Sequence, residues 1–372
     1  MHKHLFPSIV ASGTPREIGL AHGKGAKREI GVSIDTYKAM FRDYSGIEWE
    51  DACRYAGTFI DTIDEYDADY MEEIRGIAEG SGYDVDEILA LNVRSEIVLQ
   101  GGQVGGANSG GCTSFVLAPC MTESGSTVVG QNWDWKMTEK AGCIILHIEQ
   151  QKKPNITMVT EAGIIGKIGF NSAGIGVALN ALSSDERVEG KVLPLHIALR
   201  GILDSVTLSD AIGATTKMNL SCCAHYMLGS ARGEGISLEV GPGTFDALYA
   251  EEGWLAHTNH FITPRLMNIK DTSRVILPDS FQRLGRMRTM IRSLNRKATF
   301  SDLKAMLADH TSYPDSICRH EDELEPAAKR LGTIFSIIMD LNRGEMYFAP
   351  GNPCNTEFHL LRFQLLNRVD SL

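Results

Sequence analysis

The sequence changes character abruptly at a glycine-rich segment, residues 100–111, which reads QGGQVGGANSGG. Before it, apolar residues recur at helical spacing, and Thr14 followed by Pro15 marks a helix start with Thr14 as the N-cap. After it, short β-rich segments bounded by turns follow one another, and the first covers residues 113–117. Because blocks of helices and blocks of strands are segregated, the sequence predicts an α+β fold with antiparallel sheets.

The predicted elements divide unevenly between the two parts of the chain. The first hundred residues are predicted to be helical and to contain no strand, whereas later strands are interrupted by two helical sections. The helices are predicted at about 14–40, 49–63, 70–78, 85–99, 195–203, 208–214, 280–294 and 300–309. The strands are predicted at about 113–117, 127–131, 143–150, 156–161, 167–171, 174–182, 224–229, 236–240, 244–250, 332–339, 345–349 and 357–362.

Charge and cysteine content exclude several classes of function. The chain has 36 Lys and Arg against 47 Asp and Glu, a formal net charge of −11, so no overall basic field attracts nucleic acid or an anionic membrane. An anionic substrate therefore needs a local positive site. The start of the chain is too short for a secretory signal, and no apolar run is long enough to span a bilayer. Eight scattered cysteines without a CxxC pair predict reduced thiols in the cytoplasm and argue against structural zinc.

Cys112 is the first candidate for chemistry, because it follows two glycines and opens the first strand in the motif GGCTS. A thiol becomes a nucleophile only when a base or a lowered pKa activates it, so a small buried residue is the alternative. If the Gly111–Cys112 bond were cut, the new α-amine, with a reference pKa of about 7.7–8.0, could serve as that base. The thiol could make the cut itself by attacking the Gly111 carbonyl; in the alternative, the glycine-rich segment is a surface linker.

Four more polar residues stand at positions suited to a site. Asp134 lies between two tryptophans in GQNWDW, and Asn259, in HTNH, could donate a hydrogen bond to an oxyanion. Arg319 has apolar neighbours in SICR, and Asn180 closes a buried strand. Each also has a structural interpretation, such as a capped turn or an ion pair.

Other site classes are less consistent with the sequence. His257 and His260 are three residues apart, but no third ligand cluster lies near them, so no metal is predicted. The chain has neither a phosphate loop nor a dinucleotide fingerprint. A papain-like pair of Cys112 and His257 has suitable spacing, but the papain nucleophile opens a helix, whereas Cys112 opens a strand.

Taken in order, the motifs resemble those of the acyl-coenzyme A:6-aminopenicillanate (isopenicillin N) acyltransferase family, within the N-terminal-nucleophile hydrolases. The resemblance covers nearly the whole chain. The motifs are GTPREIGLAHG from Gly13, EIRGIAEG (73–80), GGCTS, GQNWDW (130–135), TEAGIIGKIGFNSAGIGV (160–177), HIALR (196–200), HTNH and SICR (316–319).

The resemblance implies a four-layer αββα fold and a precursor that cuts itself between Gly111 and Cys112. Residues 1–111 would become a helical α chain and residues 112–372 a catalytic β chain, and the two would form one globular unit. Cys112 would be the nucleophile and its own amine the base, while Asn259 would stabilise the oxyanion. Asp134 and Arg319 would orient Cys112, and Asn180 would be a second oxyanion or substrate contact.

The implied activity is transfer of an acyl group from an acyl-coenzyme A or amide donor to an amine, in secondary metabolism. One alternative is an amidohydrolase on the same fold, which competition between amine acceptors and water would distinguish from a transferase. The other is a non-enzymatic binding protein that never cleaves its own chain. No cofactor is expected beyond coenzyme A as part of a substrate. The partners are a small acyl donor, an amine acceptor and the chain's own two fragments. The last three residues, Asp-Ser-Leu, are a poor peroxisomal signal, so cytoplasmic location is expected.

Overall fold

A computed structural model describes residues 6–100, 110–186, 188, 190–326 and 330–362, so most of the glycine-rich segment lies outside the described residues. The strands are β1 (Ser8–Gly13), β2 (Cys112–Leu117), β3 (Val128–Lys136), β4 (Cys143–Gln150), β5 (Ile156–Glu161), β6 (Ile168–Asn171), β7 (Ile175–Ala181), β8 (Ala224–Ser230), β9 (Gly235–Gly241), β10 (Thr244–Tyr249), β11 (Trp254–His257), β12 (Leu331–Asp340), β13 (Glu345–Ala349) and β14 (His359–Arg362). The α-helices are α1 (Pro15–Gly25), α2 (Lys27–Met40), α3 (Trp49–Gly57), α4 (Ile60–Ser81), α5 (Val85–Asn92), α6 (Arg94–Gln100), α7 (Leu195–Leu203), α8 (Leu208–Thr216), α9 (Ser273–Ile276), α10 (Asp279–Arg292) and α11 (Phe300–Leu307).

The predicted N-terminal helices are present, and α1 begins where the sequence indicated. The Thr14 side chain accepts a hydrogen bond from the Glu17 amide, and the Glu17 carboxylate accepts one from the Thr14 amide at 2.8 Å. This reciprocal capping box satisfies amides that the first helical turn leaves unpaired. Helix α1 lies directly against α4, and a Cβ at Gly19 would collide with the Glu73 carbonyl oxygen. The glycines of the motifs GLAHG and EIRGIAEG therefore permit a close approach of two helices.

The strand β1 corrects the prediction that the first hundred residues contain none. Ile9 and Ala11 face the core while Val10 is exposed, an alternation too short to stand out from the helical pattern that follows. The strand pairs in parallel with β4, so the prediction of antiparallel sheets throughout is also wrong at this edge.

Two sheets form the centre of the molecule. Among the described residues, one has eight strands in the order β1-β4-β5-β6-β7-β8-β9-β10 and the other has six in the order β11-β2-β3-β12-β13-β14. Strands β2 and β3 pack on β7 and β8, so the sheets lie face to face. The N-terminal helices, α7 and α8 contact the larger sheet, whereas α10 and α11 contact the smaller one. The predicted four-layer αββα arrangement is therefore confirmed.

One hydrophobic core contains residues from before and after the glycine-rich segment in the sequence. It contains Ile30, Tyr37 and Leu91 from the N-terminal helices together with Val129 and Leu228 from the two sheets. The parts of the chain before and after Gly111 thus share buried apolar area, which would hold them together if the chain were cut between them. None of the described helices combines the length and the apolar character that crossing a membrane requires.

Candidate active site

Cys112 opens β2 next to the centre of the smaller sheet, and both its main-chain polar groups are held by side chains. The side chain of Cys112 is buried. The amide nitrogen of Cys112 donates to Asn259 Oδ1 at 2.9 Å. Its carbonyl oxygen accepts from Arg283 Nη1 at 2.8 Å. Asn259 therefore fixes the peptide group that precedes Cys112, and Arg283 fixes the one that follows it.

Asn259 reaches Cys112 because β11 pairs directly with β2 and ends two residues before it. Its amide nitrogen Nδ2 donates to the Gly110 carbonyl at 3.2 Å and to the Ala181 carbonyl at 3.1 Å. The two ends of the Asn259 amide thus contact the chain on both sides of Gly111.

Arg283 and Asp279 also belong to this site, although neither was singled out in the sequence. Arg283 is fully buried; its Nη2 donates to Asn259 Oδ1 at 3.0 Å and its Nε to Asp279 Oδ2 at 2.7 Å. Asp279 also pairs with Arg319, so one carboxylate links two guanidinium groups. The sequence signal was an Asp just before the predicted helix of residues 280–294 and an Arg four residues later within it, but such pairs are common on exposed helix faces.

Arg319 and Asp134 come together on the other side of the same peptide. Arg319 Nε lies 3.6 Å from Asp134 Oδ2, and Thr333 joins the pair by donating to Asp134 Oδ1 at 2.7 Å and accepting from the Arg319 amide at 3.0 Å. A Cβ at Gly111 would lie 2.7 Å from Arg319 Nε. Only glycine fits the space between this guanidinium and the start of β2.

Burial controls the protonation of both acidic groups at the site. Burial, with the nearby charge of Asp134, raises the pKa of the Cys112 thiol to about 12. Burial also raises the pKa of Asp134 to about 7, against the opposing charges of Arg319 and Arg283. In the uncut chain the thiol is therefore protonated at neutral pH, and Asp134 is close to the midpoint of its titration.

A cavity of about 80 Å³ opens beside the thiol. Apolar side chains form much of its wall, and two cations, Arg94 and Lys167, also line it. Gly110, two residues before the thiol, lines the same cavity. The lining residues are Arg94, Ser95, Val98, Gly110, Cys112, Trp133, Trp135, Lys167, Leu179, Ala181, Leu182, Leu195, Cys222 and Cys223.

Both cations of the cavity wall share one carboxylate. Lys167 Nζ lies 2.6 Å and Arg94 Nη2 2.9 Å from Glu161 Oε2. Burial raises the pKa of Glu161, but Arg94 and Lys167 more than offset this and hold it well below its usual range. Lys167 also lies 4.3 Å from the centre of the Trp133 ring.

The neighbouring Glu139 does not balance the second cation. Burial and the charge of Glu161 raise the pKa of Glu139 to about 8, so it is mostly protonated at neutral pH. Burial and the charge of Arg94 lower the pKa of Lys167 to about 8, which leaves it mostly charged. Two buried cations next to the cavity therefore share Glu161 as their ionised partner.

The structure holds Asn180 and His257 away from the Cys112 peptide. Asn180 Oδ1 accepts from Ser114 Oγ at 2.6 Å, and Asn180 Nδ2 donates to the His257 carbonyl at 3.4 Å. The role of Asn180 as an oxyanion or substrate contact stays a prediction. His257 Nε2 lies 2.7 Å from Glu239, and the His257 ring stacks on His225 at 3.5 Å. Those contacts give no support to a papain-like Cys–His pair.

Comparison with known proteins defines the class: the chain is an enzyme that acts as an acyltransferase or amidohydrolase. The family model described as acyl-coenzyme A:6-aminopenicillanic acid acyl-transferase matches residues 120–355. The 40 kDa form of acyl-coenzyme A:6-aminopenicillanic-acid-acyltransferase from Emericella nidulans is 35% identical over 352 residues, 94% of either chain. The chain therefore belongs to the acyl-coenzyme A:6-aminopenicillanic acid acyltransferase family, as its motifs predicted, and the binding-protein alternative is wrong.

More distant similarities extend to proteins with hydrolase names. An N-acylethanolamine-hydrolyzing acid amidase of Caenorhabditis elegans is 25% identical over 191 residues, 47% of this chain and 52% of that protein. The structure of penicillin V acylase from Agrobacterium tumefaciens covers 64% of this chain and 83% of its own, with 15% identity and a TM-score of 0.44.

Proposed function

We propose that this protein is a self-processing cysteine acyltransferase, which moves an acyl group from an acyl-coenzyme A or amide donor to an amine. The observation that carries the proposal is that the Asn259 side chain forms hydrogen bonds to the chain on both sides of Gly111. Its amide contacts the nitrogen of Cys112 at 2.9 Å and the carbonyl of Gly110 at 3.2 Å, beside a buried thiol and a cavity. The Asn259 side-chain amide, fixed in this position, is suited to orient a reacting acyl group before, during and after cleavage of the Gly111–Cys112 bond.

The first proposed reaction is cleavage of the chain by its own thiol. Cys112 Sγ attacks the Gly111 carbonyl carbon, the C–N bond to Cys112 breaks, and the thiol proton ends on the released nitrogen. Water then hydrolyses the thioester, which frees a carboxylate on Gly111 and restores the Cys112 thiol beside the α-amine already released. Arg319 and Arg283 hold the chain on the two sides of the scissile bond during the attack, since one lies against Gly111 and the other donates to the Cys112 carbonyl.

The second proposed reaction is acyl transfer at the same atoms. The new amine takes the proton of the Cys112 thiol, and the thiolate attacks the donor's acyl carbon. The amine then returns the proton to the leaving thiol or amine. An acceptor amine attacks the acyl-cysteine and regenerates the thiol. With Gly110 displaced by cleavage, Asn259 Nδ2 loses a partner and becomes free to donate to the oxyanion. Asp134 and Arg319 position the amine.

The charge of the cavity supports an anionic substrate. Arg94 and Lys167 line the cavity and share Glu161 as their ionised partner, and the protein as a whole is acidic. A carboxylate on the acyl donor or on the acceptor would balance the second cation in a site of low dielectric. We therefore propose that one of the two substrates carries a carboxylate close to the reacting acyl group.

The proposal is tested by offering processed protein an acyl-coenzyme A thioester together with 6-aminopenicillanic acid. We expect amide product and free coenzyme A in equal amounts, and an acyl group on the fragment that begins with Cys112. Absence of an acylated fragment with every donor tried, from protein that is fully processed, would contradict the proposal.

Hydrolysis of an amide is the second candidate, because a relative at 25% identity carries the name of an amide-hydrolysing enzyme. It uses the same acyl-cysteine but passes the acyl group to water. The two functions are separated by the products: the hydrolase yields free acid at a rate that rising acceptor concentration does not reduce.

A further inference from the structure

Four potential metal ligands converge on the surface near Arg319, outside the cavity described above. They are His310, Cys318, His320 and Cys354, and their ligand atoms all lie within 4.8 Å of one another. We propose that these four side chains bind a zinc ion. This proposal does not rest on the proposed function, and it revises the prediction of no metal, which was based on the spacing of cysteines and on His257 and His260.

The distances between the ligand atoms fit a small tetrahedral ion. His310 Nε2 lies 3.0 Å from His320 Nε2, and His320 Nε2 lies 3.6 Å from Cys318 Sγ and 3.4 Å from Cys354 Sγ. A tetrahedral zinc with bonds of about 2.0–2.1 Å to nitrogen and about 2.3 Å to sulfur places its ligand atoms roughly 3.3–3.8 Å apart. The other ligand atoms lie within 4.8 Å of one another, so side-chain shifts of up to about 1 Å would complete the coordination.

The chemistry of the four ligands selects zinc among common metals. Two thiolates and two imidazoles in a tetrahedral arrangement are typical of zinc, whereas magnesium and calcium prefer oxygen ligands. Two thiolates also neutralise the charge of the divalent ion. Asn352 Nδ2 donates to Cys318 Sγ at 3.6 Å, the kind of hydrogen bond that stabilises a metal-bound thiolate.

The position of the site assigns it a structural role. All four tetrahedral positions would be filled by protein atoms, which leaves none for a substrate. Cys318 and His320 flank Arg319, and the Arg319 carbonyl accepts hydrogen bonds from the Thr333 amide at 3.0 Å and from Asn352 Nδ2 at 2.6 Å. The ion would tie the segment that carries Arg319 to the connection between β13 and β14, which contains Cys354. Arg319 is thus the residue that the metal positions.

The site is open to test because two of its ligands are accessible. His310 and Cys354 are exposed, so zinc can enter and a chelator can remove it. We expect about one zinc per chain, measured by elemental analysis, in reduced protein purified without a histidine tag. Cys354→Ser should lower zinc affinity at least about 10-fold, whereas Cys120→Ser, which removes another exposed free cysteine, should not.

Cobalt(II) gives a second readout that reports the ligands themselves. After removal of zinc, cobalt should produce a thiolate-to-cobalt charge-transfer band in the native protein and in Cys120→Ser. The band should lose about half its intensity in Cys354→Ser, since one of two thiolates is gone. If Cys354→Ser does not fold, His310→Ala, a change at an exposed residue, tests whether an imidazole ligand contributes to metal binding.

Three results would overturn the proposal. The first is zinc-free native protein that also binds no added zinc. The second is equal zinc affinity in native protein and in both ligand variants. The third is a Cys318–Cys354 disulfide that persists under reducing conditions. None of them bears on whether Cys112 cleaves the chain, because that reaction is followed by fragment mass and needs no metal analysis.

Discussion

Two groups of charged residues differ in how their charges are matched. In the first, the Cys112 network, Arg283 and Arg319 meet the carboxylates of Asp134 and Asp279. In the second, the cavity cluster, Arg94 and Lys167 share Glu161, while the nearby Glu139 has its pKa raised to about 8. The Cys112 network thus has two carboxylates for its two guanidinium groups, whereas the two cations of the cavity cluster share one ionised carboxylate.

The difference indicates two separate tasks. The paired charges of the Cys112 network hold a fixed geometry, which suits the peptide bond that we propose is cut. Two buried cations that share one ionised carboxylate favour a further anion, which suits the proposed binding of a charged substrate. The predictions below alter one of the two groups at a time: effects on activity come first, from the largest to the smallest, and an effect on stability follows.

Removal of the thiol should have the largest effect. We expect Cys112→Ala to remain a single chain and to lose at least about 10³-fold in acyl transfer, because no other group can form the acyl intermediate. Fragment masses and product release measure the two losses. Cys120→Ala, at an exposed cysteine, is the control and should process normally. Turnover by Cys112→Ala would move the reaction to another residue.

Loss of the shared carboxylate tests the Cys112 network. Asp279→Asn leaves Arg283 and Arg319 without the group that joins them, and we expect cleavage to slow by about 10²-fold, because a shift of these guanidinium groups by about 1 Å would misplace the Gly111–Cys112 bond relative to the thiol. The rate is followed from the mass of the uncut chain over time. Asp43→Asn, in an exposed ion pair with Arg42, should cleave at the native rate. Equal rates in the two variants would show that the pairing is irrelevant to cleavage.

The charge of the substrate tests the cavity cluster, with Arg94 and Lys167. Substrates that end in a carboxylate should show kcat/KM about 10-fold or more above that of the corresponding primary amides, which have the same shape without the charge. Steady-state rates for such matched pairs give the ratio. A ratio near one would mean that Arg94 and Lys167 do not meet the substrate.

The pH dependence of stability tests the Cys112 network in folding rather than in catalysis. The pKa of Asp134 is raised to about 7 in the folded chain, so its contribution to stability is present below the unfolded value near 4 and is lost as pH rises through 7. For uncut Cys112→Ala, the free energy of unfolding should fall by up to about 4 kcal/mol across this range from Asp134 alone. Denaturant titrations at pH 4.5 and 7.5 measure the change.

The matched control for that measurement is the double variant Cys112→Ala with Asp134→Asn. Glu139, whose pKa is also raised, is present in both proteins, so the difference between their pH profiles isolates Asp134. Parallel profiles would show that the Asp134 carboxylate is ionised throughout.

Much of the fold could be predicted because its local signals are strong. The helix start at Thr14 and the β-rich segments after Gly111 follow from caps and periodicity that operate within a few residues. Strand β1 was not predicted because six residues give too little alternation of apolar and polar side chains. Its pairing with β4 depends on residues far away in the sequence.

The site was only partly predictable for a related reason. Asn259, Asp134 and Arg319 stood in recognisable motifs, and the structure brings all three to the Cys112 peptide. Arg283 and Asp279 lie on a helix whose sequence has no distinctive feature. They belong to the site only because that helix packs beside Cys112 in the folded chain. The cluster of His310 to Cys354 has no regular spacing, so only the folded chain reveals it.

The central claim is that the chain cuts itself before Cys112, and the intact mass of purified native protein under denaturing conditions tests it most directly. The account predicts two fragments, residues 1–111 and 112–372, whose masses sum to that of the uncut chain plus one water, and it predicts a single chain for Cys112→Ala. Native protein that transfers acyl groups while the Gly111–Cys112 bond stays intact would contradict it.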